Sequence, residues 1–154
     1  MIYGIKDKHC VHIMKRKEYG YDKFIRSLKR LQSIYRLSDF YIFETKKYYA
    51  ALCAKGVDAI RFKKILQKAR ATNLNYFIKY GHSWIRTSNI VGNKKDEIEP
   101  RPDFKETIKN EENRNHFHSL PHLTYLSKIG VDVEGYPNVF GVSENKQMIA
   151  NVKI

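Results

Sequence analysis

At 154 residues and 42% hydrophobic content, the chain is long enough to bury a core and too apolar to be a disordered basic arm. No run approaches the roughly 18–20 apolar residues of a membrane span, and residues 1–8 do not read as a signal peptide, so the expected compartment is the cytoplasm. Two cysteines, Cys10 and Cys53, are too few for a disulfide framework or a CxxC-type zinc set and are expected as buried free thiols. The net charge of +13 is split along the chain: residues 1–95 hold 22 Lys and Arg against 6 Asp and Glu, whereas residues 96–154 hold 7 against 10. Such an excess creates an extended positive potential, and nucleic-acid phosphate is the commonest partner for one. The competing readings are a generic basic protein, and a viral inhibitor or virion component whose basic face meets an acidic protein.

Cys10-Val11-His12-Ile13-Met14 reads as a short strand, with Val11 and Ile13 on one face. Residues 21–37 carry Phe24, Leu28, Leu31 and Tyr35 at helical spacing, with Asp22 as the expected N-cap. Residues 40–44 and 48–53 flank Thr45-Lys46-Lys47 and predict a hairpin with a basic tip. Asp58 can cap a second helix to about Ala71, with Phe62, Ile65, Leu66 and Ala69 as its apolar stripe. Residues 74–80 alternate as a strand would, Gly81 interrupts them, and residues 82–87 continue extended. Residues 89–115 are polar, acidic and broken by Pro100 and Pro102, which predicts a linker. A short helix is expected after Pro121, with Leu123 and Leu126 as its contacts, and residues 139–142 and 148–152 predict a closing hairpin.

The order strand, helix, strand, strand, helix, strand predicts an α+β fold: a ferredoxin-like (RRM-like) split βαβ domain over residues 1–88. The acidic linker (89–115) and a small C-terminal extension (116–154) follow it. In such a domain the helices cover one sheet face, and the other is free to stack bases on aromatic rings with Lys and Arg around them. The third strand, Lys46-Lys47-Tyr48-Tyr49-Ala50-Ala51-Leu52, resembles the aromatic signature of RNA-recognition-motif proteins at Lys47, Tyr49, Ala50 and Leu52, and departs from it at Tyr48 and Ala51. Lys46, Lys47 and Tyr49 are therefore candidate nucleic-acid contacts, although the same tyrosines would serve equally as core. On the fourth strand, His82, Trp84 and Arg86 project to one side if extended, and with Lys79 they could hold a base and its phosphate. The alternative is that Trp84 closes the core.

His116-Phe117-His118 and Tyr125-Leu126-Ser127-Lys128 resemble elements of the HUH endonucleases that initiate rolling-circle replication. That resemblance implies a divalent metal such as Mg or Mn held by His116 and His118, with His122 or a glutamate as third ligand. It implies Tyr125 as nucleophile and Lys128 beside it. The triplet lies between polar residues that suit a loop, and the tyrosine follows it by only seven residues, both departures from the family pattern. Solvated loop histidines are the plainer reading, and then no cofactor is expected. The reading favoured is a protein that binds single-stranded or structured DNA or RNA. Its many Lys, Asn, Ile and Tyr residues, which have AT-rich codons, direct the expectation to phage or mobile-element replication or host takeover. The acidic residues of 96–112 would then compete with phosphate for the basic face.

Overall fold

The computed structural model describes residues 2–3, 8–86, 90–91 and 98–141; residues 2–3, 84–85, 90–91 and 98–99 are described by their backbone. The elements in chain order are β1 (Ile2–Tyr3), β2 (His9–Arg16), α1 (Tyr21–Tyr35), β3 (Phe40–Glu44), β4 (Tyr48–Val57), α2 (Ala59–Ala69) and α3 (Leu74–Tyr80). They continue with β5 (Trp84–Ile85), β6 (Ile90–Val91), β7 (Ile98–Glu99), β8 (Asp103–Ile108), β9 (His118–Ser119), α4 (Leu120–Lys128) and β10 (Val139–Phe140). The fold is mixed, α+β, around a six-stranded sheet. Four of its strands run antiparallel in the order β2-β4-β3-β8. Where β4 extends past the start of β3, β9 pairs with it at Lys55, and β10 pairs parallel to β9.

Local sequence accounts for the first helices and the hairpin. Phe24, Leu28 and Leu31 recur on one side of α1 and are buried. The helix starts after Gly20, whose φ of 99° suits glycine, and Asp22 sits in the first turn instead of at the N-cap. Asp58 does cap α2, accepting from the Arg61 backbone N–H at 2.7 Å, and Phe62, Ile65, Leu66 and Ala69 are its buried residues. Thr45 closes the β3–β4 hairpin, its backbone N–H donating to the Tyr48 carbonyl and its hydroxyl accepting from the Tyr48 N–H.

Residues 74–80 form a helix, not a strand. Leu74 and Phe77 are three apart and reach the core from one helical face, while Tyr76, Ile78 and Tyr80 are exposed. The reason lies in the preceding residues, which close the open edge of β2. Thr72 N–H donates to the Met14 carbonyl at 2.8 Å, Asn73 Nδ2 donates to the His12 carbonyl at 2.7 Å, and Asn73 Oδ1 accepts from the Met14 N–H at 3.1 Å. A side chain thus takes the place of the expected edge strand, with the same effect of shielding unpaired backbone groups. Beyond α3, β5 pairs with β1 in a separate two-stranded ribbon and not with β2.

At the opposite edge, the stretch expected as a linker supplies β8, which pairs along the whole of β3. Gln32 ties it down, donating from Nε2 to the carbonyls of both Ser38 and Ile108. Asp39, 2% exposed, accepts Nε and Nη2 of Arg114 at 3.2 and 2.6 Å and the Asn110 N–H at 2.8 Å.

Both faces of the sheet are covered, which corrects the expectation of an open stacking face. Phe40, Ile42, Ala51 and Cys53 pack under α1 and α2 with Val11 and Ile13. Tyr41, Phe43, Ala50 and Leu52 point the other way, and α4 lies over them with Leu123, Leu126, Val131, Val133 and Tyr136. The Tyr41 and Tyr136 hydroxyls meet at 2.6 Å inside this second core. The helix after Pro121 is as expected, whereas the second strand of the C-terminal hairpin, 148–152, lies outside the described residues. No described helix is long and apolar enough to cross a membrane.

Candidate nucleic-acid interface

Among the described residues, positive charge gathers where α1, the end of α2 and the end of β2 converge. Lys23, Arg26 and Arg30 follow one another at three- and four-residue spacing, so they share the flank of α1 that the buried stripe leaves free. Lys68 closes the last turn of α2, and Arg70 terminates it in the left-handed conformation at φ 49°. Lys15 enters from β2, and its Nζ stands 4.2 Å from the centre of the Tyr19 ring. Together these six cations line a groove of about 560 Å³, and no carboxylate is among the described residues lining it. Lys15 is 9% exposed; burial first, and then the charge of Arg70, holds its ammonium below the usual lysine range. Like charges gathered without an acidic partner raise the local potential and suit an incoming anion.

A second basic hollow, of about 690 Å³, surrounds the tip of the β3–β4 hairpin. It brings together Lys46, Lys47 and Arg86, three residues singled out by sequence, with Lys17 and Arg101. Glu44 and Asp103 share it, and Glu44 is already bridged by Lys17 at 3.1 Å and Lys105 at 3.5 Å. The bond from Lys17 is the main cause that holds the Glu44 carboxyl below the usual range. Arg86 donates to the Pro100 carbonyl. This hollow is therefore partly neutralised from within, unlike the first. The acidic residues Asp103 and Glu106 belong to β8, at the far edge of the sheet from β2 and its groove; Asp96 and Glu97 lie outside the described residues.

Tyr49 does not face an open sheet. It points to α1, 5.0 Å from the ring of Tyr21 and stacked at 6.1 Å on Phe24. The ring of Trp84 lies outside the described residues. Lys79 and His82 instead accompany an aromatic group on α3. Tyr76 and Tyr80 lie 4.6 Å apart, and His82 is 5.8 and 6.4 Å from them. The ammonium of Lys79 is 5.3 Å from the Tyr80 ring centre.

The three histidines of the endonuclease-like motif do not converge. His118 is buried, with Nδ1 2.6 Å from the His116 carbonyl, to which it donates; Nε2 consequently accepts from the Ser38 hydroxyl at 2.6 Å. His122 Nδ1 lies 2.6 Å from Ser119 Oγ and 3.3 Å from Cys10 Sγ, in a separate pocket of the core. Burial holds His118 down at about 4 and His122 down at about 3, and raises the Cys10 thiol, so these groups are neutral core members. Among the described residues no three His, Cys, Asp or Glu side chains are placed to hold a metal. Tyr125 is half-buried with its phenol raised by burial, which opposes ionisation of a nucleophile, and Lys128 is exposed at the end of α4.

Sequence reasoning passed over the six groove residues. The available signal was the three- and four-residue spacing of Lys23, Arg26 and Arg30, but only packing joins that flank to Lys15, Lys68 and Arg70. No family model, curated protein or solved structure matches the chain.

Proposed function

We propose that the protein binds nucleic acid through its phosphates, with the groove between α1 and the end of α2 as the principal track and the hairpin tip as a secondary one. The observation that carries this is the gathering of six cations in one groove with no carboxylate among its described lining. Phosphate neutralisation releases condensed counterions, so a surface of this kind gains most from a polyanion. The segment from β2 to α2 is proposed as a ferredoxin-like split βαβ unit, which the antiparallel order β2-β4-β3 supports. Its fourth-strand place is taken by the Thr72–Asn73 contacts. Cytoplasmic residence is part of the proposal, and the two buried free thiols fit a reducing compartment.

The test is fluorescence anisotropy with labelled single-stranded and duplex oligonucleotides across a salt series. Each phosphate contact on a single strand adds about −0.7 to the slope of log affinity against log salt, so R26A/R30A should flatten the slope by about 1.4. Affinity indifferent to salt, or an unchanged slope in the double variant, would remove the groove from the interface.

A further inference from the structure

The aromatic group on α3 is not needed by the core. Of the seven residues of this helix only Phe77 is buried, while Tyr76 is 36%, Ile78 55% and Tyr80 52% exposed. Tyr76 and Tyr80 are four residues apart, which places their rings one above the other on the helix surface. Gly81, at φ 75° with open space where a Cβ would stand, ends the helix and turns the chain back, so that His82 joins the two tyrosines. Ser83 Oγ, 3.3 Å from His12 Nδ1, fixes this return against β2. The result is a pair of exposed tyrosine rings on a short, anchored helix, with the part-buried ring of His82 beside them.

The stretch of chain that carries these rings has charge of one sign. From Ala59 to Lys95 the sequence contains no Asp or Glu. Lys79 stands beside Tyr80, and the residues that start α3 are bonded to Met14, the strand neighbour of the groove's Lys15. Flat, partly polar rings with a lysine ammonium beside them match a ligand that alternates π-faces with negative charges. Duplex DNA hides its base faces within the stack, whereas an unpaired strand offers them.

We infer that Tyr76, Tyr80 and His82 form a base-stacking platform for single-stranded nucleic acid, continuing the phosphate track from the groove along α3. This rests on the nucleic-acid reading above and adds to it a class of strand. An acidic protein surface would be drawn to the same cations but would have no use for stacked rings.

The experiment compares the wild type with Y76A/Y80A and Y76F/Y80F, using single-stranded and duplex oligonucleotides at several salt concentrations, with circular dichroism to establish that each variant is folded. Losing a stacking ring costs roughly 5- to 160-fold in single-strand affinity. Y76A/Y80A should therefore lose at least about 10-fold on single strands. Its salt slope and its duplex affinity should stay unchanged, and Y76F/Y80F should retain wild-type affinity. If the wild type binds with a steep salt dependence and Y76A/Y80A binds single strands equally well, the platform is refuted while the groove reading stands. Equal losses on single strands and duplex refute it too. If the wild type binds no nucleic acid at low salt, both readings fail together.

Discussion

Acid should unfold this protein through its buried histidines. His12, His118 and His122 are at most 6% exposed, and desolvation holds them at about 4, 4 and 3 in the folded chain against 6.5 for the free side chain. The unfolded chain therefore binds more protons between pH 6.5 and the folded values. Stability is complete above about pH 6.5 and falls as the pH drops through that window. At pH 5 the loss is about 2 kcal/mol for each histidine, or about 6 kcal/mol for the three. That is a large part of a total stability on the order of 5–15 kcal/mol. Urea denaturation followed by far-UV circular dichroism reads it directly: with an m-value of about 2 kcal/mol/M, the midpoint should fall by about 3 M between pH 7.5 and pH 5. The H118Q variant should lose about a third of that dependence, because its share titrates no longer. A wild-type midpoint at pH 5 within about 0.5 M of the neutral value would refute the neutral, buried state of the three histidines.

Two further outcomes test how the sheet edges are held. Arg114→Ala leaves the carboxylate of Asp39 buried without its bidentate partner, and should destabilise the fold by about 3–5 kcal/mol in thermal or urea melts. A change under about 1 kcal/mol would mean that the Asn110 N–H and solvent suffice for it. Asn73→Ala removes two bonds to β2 and bares that edge, at a cost of about 1–3 kcal/mol for each backbone group left unpaired. Amide hydrogen exchange at Met14 should accelerate in this variant, and unaltered exchange there would show that the edge is protected by other means.

Sequence alone determined what depends on near neighbours along the chain. The amphipathic stripes of α1 and α2, the Asp58 cap, the Thr45-Lys46-Lys47 hairpin tip and the Leu123/Leu126 face of α4 each arise within one or two helical turns or a single reversal. The division of charge is likewise a property of the chain itself. Tertiary structure decided whatever depends on which surfaces meet. Residues 74–80 satisfy period two through Tyr76, Ile78 and Tyr80, and helical spacing through Leu74 and Phe77. The bonds of Thr72 and Asn73 to β2 accompany the helical outcome. Alternation places Tyr41 and Phe43 opposite Phe40 and Ile42, but it cannot show that α4 covers the second face. His118 and His122 look like metal ligands in a row of letters because burial is invisible there. In the fold, desolvation keeps them neutral and their ring nitrogens face Ser38, the His116 carbonyl, Ser119 and Cys10. The basic groove arises the same way: Lys15, Arg30 and Arg70 are remote in sequence, and only the packing of α1 and α2 on the sheet brings their charges onto one surface.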